Sequence, residues 1–345
     1  MAYTTIDKPT DYFNTKLYTG SSSAQSITGV GFQPDWVWIK NRTNTNWHNL
    51  FDSVRGNTKV LYSNDPLAEG TETQLITSFD SDGFSVGTNT DVNSNTIPAV
   101  SWNWLAGGSA SSNSDGSITS TVSASTDAGF SIVSYTGTGS NATVGHGLGS
   151  VVKMFFVKEL SNANSWEVYH VSEGAGKNAQ LNTTAAFESA GSSRWNSTAP
   201  TSTTISIGTD SGVNRSSSNY IAYCFAEKTG YSKFGSYVGN GNADGTFVYT
   251  GFKPAWVMMK RTDTTNDWFI YDNTRNPFNE TNLRISANSN GAESTQTTNQ
   301  IDILSNGFKC RGNAGATNTS GGTYIYMAFA ENPFVTSTGI PSCAR

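Results

Sequence analysis

The sequence predicts an all-β protein built as three tandem, related β-sandwich domains. Short apolar runs alternate with clusters of Gly, Asn, Asp, Ser and Thr, and no helical period is sustained over 11–18 residues. A fixed order of strand-like landmarks also recurs three times along the 345 residues. At roughly 100 residues a copy, each repeat has the usual size of one domain.

Taken in order, a Tyr-X-Gly opens each copy: Tyr18-Thr19-Gly20, Tyr135-Thr136-Gly137 and Tyr237-Val238-Gly239. A Lys-ended apolar strand follows. It reads GFQPDWVWIKNR at 31–42, GLGSVVKMFFVKE at 147–159 and GFKPAWVMMKRT at 251–262. Apolar residues run almost unbroken through VWIK and VMMK, as in a strand buried on both faces or lying in an interface. A Trp strand comes next, WHNLFD (47–52), WEVYH (166–170) and WFIYD (268–272), with Trp47, Trp166 and Trp268 taken as equivalent. A turn and short strand follow at 81–88, 204–210 and 305–312, and each copy closes on an aromatic strand at 101–106, 222–227 and 326–331. There Trp104 gives way to Phe225 and then Phe329, an exchange that a core position tolerates. Trp36, Trp47, Trp104, Trp166, Phe225, Trp256, Trp268 and Phe329 are accordingly expected in the core. Expected domains are 1–108, 109–232 and 233–345. Residues 107–128 read as a low-complexity linker whose ITSTVSA run has the alternation of an edge strand. The short second boundary implies that copies two and three pack more closely than copies one and two.

Composition narrows the function. Charged residues make up 14% with a net charge of −5, and no Lys/Arg run is present, so a nucleic-acid partner is excluded. Aromatics reach 12%, with nine Trp, which argues for a folded chain rather than a disordered one. No apolar run approaches a membrane span, and MAYTTIDKPTDYF lacks the apolar stretch of a signal peptide. The expectation is a protein made in a cytoplasm and without membrane insertion. The odd cysteine count, Cys224, Cys310 and Cys343, argues against a disulfide framework, and Cys224 and Cys310 read as buried thiols.

The run GFQPDWVWIKNR, the FDSDGFSVG turn, the closing YIYMAFAENPF and the opening MAYTTIDKPTDYFNTKLYTG resemble a repeated module of marine bacteriophage structural proteins. The resemblance covers most of the chain and is loosest in the second copy. It implies a virion protein with jelly-roll or lectin-like sandwich domains, tail-fibre-like or capsid-decorating. It transfers no catalytic or binding residue.

A catalytic reading finds little to stand on. Glycosidases need two carboxylates facing across a cleft. Asp80 with Asp82, and Asp263 with Asp267, lie in turn-forming sequence, where Asp shapes the backbone. His48, His146 and His170 show neither metal-ligand spacing nor a nucleophile motif. Asp80-Ser81-Asp82-Gly83 resembles the start of a calcium loop but lacks the later ligands. The expectation is therefore a non-enzyme with no cofactor and no metal; the alternative class is a glycan-processing tailspike. The expected partners are further copies of the chain, a trimer by analogy with phage appendages, other virion proteins, and host-surface glycan. For glycan, the once-only loop SSRWNSTAP (192–200) offers Arg194, Trp195 and Asn196 as cation, stacking face and amide. A Trp195 folded back onto its own domain is the competing reading.

Overall fold

A computed structural model describes residues 3–342. Strand accounts for 43% of the chain and helix for 3%, and the fold is an all-β sandwich. In the first repeat a large antiparallel sheet runs Phe13–Thr19, Pro98–Trp104, Trp36–Asn41, Asn49–Asp52, Lys59–Tyr62, Gly70–Thr71. A small sheet of Gln25–Thr28, Gly83–Val86 and Ile76–Asp80 covers one of its faces. The third repeat repeats this plan. Its large sheet runs Ser232–Val238, Thr323–Pro333, Phe252–Arg261, Trp268–Asp272, Leu283–Ser286, Ser294–Thr295, and its small sheet Phe247–Tyr249, Gly307–Cys310, Ile301–Leu304. The second repeat has the same large-sheet order from Phe130–Thr136 to Glu188–Ser189, with two strands added at one edge. Those strands, Ser111–Asn113 and Ser120–Ser125, are the segment expected to be a linker. Thr121–Ser125 pairs with Phe130–Ser134, so the ITSTVSA run is the second strand in and not the edge.

Period-2 alternation sends Val37 and Ile39 into the first repeat's own sandwich, with Phe51, Phe84 and Val86. Trp36 and Trp38, on the opposite face, point into a core shared by all three repeats. That core also holds Trp102, Trp104, Phe130, Met154, Tyr223, Phe225, Trp256, Met258, Met327 and Phe329. Trp36 stacks on Tyr223 at 4.5 Å between centroids, and Trp104 meets Trp256 edge-on at 5.7 Å. The unbroken apolar strands are thus buried on both faces, one face in a private sandwich and the other against the neighbouring repeats.

Matching hydrogen bonds close the repeats into a ring. Strand register makes His48, Trp166 and Trp268 equivalent, and likewise Ser286, Gln180 and Tyr62. Trp166 Nε1 donates to Tyr62 O at 2.8 Å, Trp268 Nε1 to Gln180 O at 3.0 Å, and His48 Nε2 to Ser286 O at 3.1 Å. A second set repeats at the same seams. Tyr223 OH donates to Asp52 at 2.7 Å, His170 Nε2 to Tyr326 O at 3.3 Å, and Trp102 Nε1 to Asp272 at 3.0 Å. A third joins backbones, with Glu69 N on Leu160 O, Phe187 N on Thr262 O and Glu293 N on Arg42 O. The seam between copies two and three thus carries one bond of each set, as does the seam between copies one and two.

This register corrects one expected core residue. Trp166 and Trp268 lie eight residues after Lys158 and Lys260, and eight after Lys40 is His48, not Trp47. Trp47 is only half-buried and packs against Tyr62 at 4.6 Å. Trp36, Trp104, Trp166, Phe225, Trp256, Trp268 and Phe329 are each buried in the shared core.

The recurrent landmarks have local causes. A Cβ on Gly20, Gly137 or Gly239 would sit 2.1–2.3 Å from the carbonyl oxygen of Ser94, Arg215 or Thr319, so only glycine fits. The neighbouring tyrosines, Tyr18, Tyr135 and Tyr237, donate to Val92 O, Val213 O and Thr317 O. The residue after each carbonyl, Asn93, Asn214 or Asn318, donates to Gly87 O, Gly208 O or Gly312 O and ties the turns together. Lys40, Lys158 and Lys260 are fully buried and donate to backbone carbonyls: Asn41 and Asn44, Glu159, and Thr184 and Asn266. Burial pulls each ammonium down to about 8. Cys224 and Cys310 are free thiols in the private cores of different repeats, and Cys343 lies outside the described residues.

Candidate binding surfaces

Trp195 is fully buried. Its ring meets Phe155 and Tyr169 edge-on, and its Nε1 donates to Lys177 O at 3.1 Å. The flanking backbone explains why. Gly208 N donates to Arg194 O and Asp210 N to Ser193 O, just as Gly87 N and Asn89 N donate to Leu75 O and Gln74 O in the first repeat. Trp195 therefore stands where Ile76 stands, and it fills the sandwich in the one repeat whose small sheet has two strands rather than three. Arg194 pairs with Glu167 at 3.1 Å and with Asp210, clamping the loop onto the sheet. Burial is the largest influence on Glu167 and raises its carboxyl, against the pull of Arg194. Asn196 is half-buried in a left-handed turn, φ 48°. The three residues are neighbours in the chain, but they offer no stacking face to a ligand.

The turn carboxylates are held internally. Asp82 accepts from Gly29 N at 2.9 Å and Gly31 N at 2.7 Å, which lowers its pKa. Asp80 accepts from Ser78 and Ser85 hydroxyls, Asp263 pairs with Arg261, and Asp267 accepts from Asn288. Each histidine accepts at Nδ1 and reaches a backbone carbonyl with Nε2. The acceptor bonds come from Trp38 to His48, Leu148 N to His146 and Ser172 N to His170. That pattern is a neutral tautomer bridging segments. Among the described residues no group of three or more His, Cys, Asp or Glu is placed to hold a metal ion.

The outer face of the small sheet differs between the first and third repeats. In the first it is hydroxyl-rich, with Ser26 opposite Ser85 and Thr28 opposite Gly83. In the third, Phe247 lies opposite Lys309 and Tyr249 opposite Gly307. Phe247 is 45% and Tyr249 54% exposed. Gly307 lies between Tyr249 and Leu304 across the sheet. A Cβ there would meet Val248 O at 2.0 Å, so the glycine is required. Lys309 pairs with Asp244, and Arg311 with Asp302 at 3.2 Å, beside the aromatic pair. This aromatic pair carries no landmark of the repeat; aligning copies and asking which strand residues point outward is the signal that finds it.

Residues 8–333 match a family described as a domain of unknown function, DUF7483. The chain belongs to that family. A single DUF7483 unit thus spans all three repeats, in keeping with a core to which all three contribute. Comparison with curated proteins and with solved structures gives no match.

Proposed function

We propose that this DUF7483 protein is a non-enzymatic structural component of a phage virion, tail-fibre-like or capsid-decorating, that attaches to host-surface glycan. The observation that supports adhesion is the exposed Phe247 and Tyr249 pair on a body whose other aromatics are mostly turned inward. Two rings on one strand face stack on the C–H faces of sugar units, and Lys309, Asp244, Arg311 and Asp302 supply donors and acceptors for hydroxyls alongside. An exposed pair on a strand face, rather than in a pocket, suits an extended chain of sugars rather than one enclosed residue. Per-copy affinity on such a surface is weak, and assembly of several copies, a trimer in the simplest case, raises it through avidity. Placement on the virion rests on the resemblance of the repeat landmarks to phage structural modules.

The test is binding of labelled protein to host cells and to their isolated surface polysaccharide. Phe247→Ser with Tyr249→Ser is expected to reduce binding at least tenfold with only a small drop in melting temperature, because each side chain is about half exposed. Unchanged binding overturns the platform. Immunogold imaging of intact particles tests the virion assignment, and particles without label overturn it.

A further inference from the structure

Each large sheet ends in two edge strands, and four of the six edges are held or guarded. Gly70–Thr71, Glu188–Ser189 and Ser294–Thr295 start one residue after the backbone bonds that Glu69, Phe187 and Glu293 make to the neighbouring repeat. Phe13–Thr19 is guarded by side chains. Thr19 O accepts from Gln25 Nε2 at 3.1 Å, and the Lys16 ammonium lies against Gly29, beside the small sheet. A lysine turned inward at an edge discourages pairing with another chain. In the second repeat the counterpart of that strand, Phe130–Thr136, is covered by Ser120–Ser125 and then by Ser111–Asn113. Two edges remain open: Ser111–Asn113 itself, and Ser232–Val238 of the third repeat.

In the third repeat Gly235 stands where Lys16 and Val133 stand in the first and second, so the edge has neither guard nor cover. Glycine inside a strand often marks the close approach of another backbone. Lys233, the one lysine of the strand, is drawn to Glu227 at 2.9 Å. Ala330 N donates to Tyr231 O and Gly239 N to Gly322 O, so residues 233, 235 and 237 bond inward and residues 232, 234, 236 and 238 face away. Ser232 N and Val238 O already bond to Lys228 O and Thr246 Oγ1, and Phe234 N leans on Glu227 Oε2 at 3.5 Å. Phe234 O, Ser236 N, Ser236 O and Val238 N have no partner among the described residues. Val238 is 56% exposed. At the other open edge the same phasing turns Ser111 and Asn113 toward Ser120–Ser125 and leaves Ser112 facing away. Ala110, Ser112 and Ser114 are exposed.

We propose that Ser111–Asn113 of one copy pairs antiparallel with Ser232–Val238 of a second copy, Ser112 opposite Ser236, so that two large sheets run on as one. In this register Ser112 and Ser236 exchange both backbone bonds, Val238 N donates to Ala110 O, and Ser114 N donates to Phe234 O. Each of the four outward groups on the third repeat is thereby used, and Ala110 lies beside the exposed Val238. Pairing of Ser232–Val238 with itself about a two-fold axis is poorer, because it calls on Ser232 N and Phe234 N, which already have partners. The two edges differ, so the contact is head-to-tail. It closes a ring, a trimer among the possible sizes, when the rotation between copies closes, and otherwise grows a chain. The contact uses backbone edges, leaves the outward rings of Phe247 and Tyr249 free, and does not depend on the glycan or virion reading.

Sedimentation of the full chain at tens of micromolar tests this, and species heavier than the 36.9 kDa monomer are expected. Ser112→Pro and Ser236→Pro each remove an outward N–H and are each expected to return the protein to the monomer. A cross-link reads the contact without altering either strand's backbone. In a Cys343→Ser background, with Cys224 and Cys310 buried, Ser112→Cys and Ser236→Cys proteins are mixed, left to exchange and treated with a short bismaleimide. The mixture is expected to give a linked dimer, and either protein alone is not. A monomer at all concentrations overturns the proposal. So does assembly that survives both prolines, and so does linkage of Ser236→Cys protein to itself, which would assign a two-fold contact instead.

Discussion

Trp102 Nε1 donates to the Asp272 carboxylate at 3.0 Å across the seam between the first and third repeats. The same oxygen accepts Arg275 Nε at 2.5 Å, and both charged side chains are fully buried. Arg275 lies 5.6 Å from the Trp102 ring centroid and reaches Glu293, which in turn holds Arg42 of the first repeat. The first and second repeats meet through the equivalent group, Tyr223 on Asp52 with Arg55 and Glu69. A buried ion pair contributes little net stability in itself, yet removing one partner strands the other charge. These pairs bridge the repeats at two of the three seams.

Asp272→Ala is expected to destabilise the protein by about 3 kcal/mol or more, because buried Arg275 then keeps Glu293 alone as its counter-charge and Trp102 Nε1 loses its acceptor. Trp102→Phe keeps most of the ring and loses one bond to a charged acceptor, at a cost of about 1–3 kcal/mol. Urea midpoints with unchanged m-values check both, and equal effects from the two would contradict this ranking.

The repeats are not expected to fold separately. Residues 1–108 alone would expose Trp36, Trp38, Trp102 and Trp104, all buried in the whole chain. An apolar patch of that size promotes aggregation. Fragment 1–108 is expected to lack near-ultraviolet circular dichroism and to aggregate, while the whole chain melts in a single transition. Three separable melting transitions would show the repeats to be independent.

Trp195→Ala is expected to destabilise the protein by about 3–5 kcal/mol, the cost of a buried large aromatic. Glycan binding measured well below the melting temperature should not change. Lost binding with an unaltered midpoint would restore Trp195 as a ligand contact.

The alternating apolar strands, their turns and the threefold repetition carried the sandwich fold, because strand period and turn chemistry act locally. The double-faced burial of VWIK was legible for the same reason. Ring closure was not, since it depends on Trp36 meeting Tyr223 and Trp104 meeting Trp256, contacts between residues far apart in sequence. Trp47 misled because residue type was matched before spacing, and His48 does in the first repeat what an indole does in the other two. Trp195 looked unique because its position is held by an aliphatic residue, Ile76, in the first repeat. The open edge at Gly235 was invisible until Lys16 and Val133 were seen to be its counterparts.

Two of the three seams contain a neutral histidine, which sets an acid limit on the ring. His48 accepts from Trp38 Nε1 at 2.8 Å and reaches Ser286 O, with Lys40 and Arg275 as the nearby cations. His170 accepts from Ser172 N and reaches Tyr326 O. Burial holds His48 well below 6.5 and pulls His170 down to about 4. A histidine that resists protonation when folded binds fewer protons than the unfolded chain below pH 6.5. Stability therefore falls as pH drops from 6.5 toward 4 and is fully present above 6.5. For His170 the shift corresponds to on the order of 3 kcal/mol across that window. Protonation would also put a second donor against Trp38 Nε1–H or Ser172 N–H, where an acceptor is needed. Urea midpoints between pH 4.5 and 7.5 are expected to fall toward acid. The double substitution His48→Gln and His170→Gln should lower the midpoint at pH 7.5 but flatten the slope below 6.5. A slope equally steep in the substituted protein would assign the acid sensitivity to His146, which burial also holds below 6.5, or to carboxylates such as Asp82, whose depressed pKa also withdraws stability as pH falls.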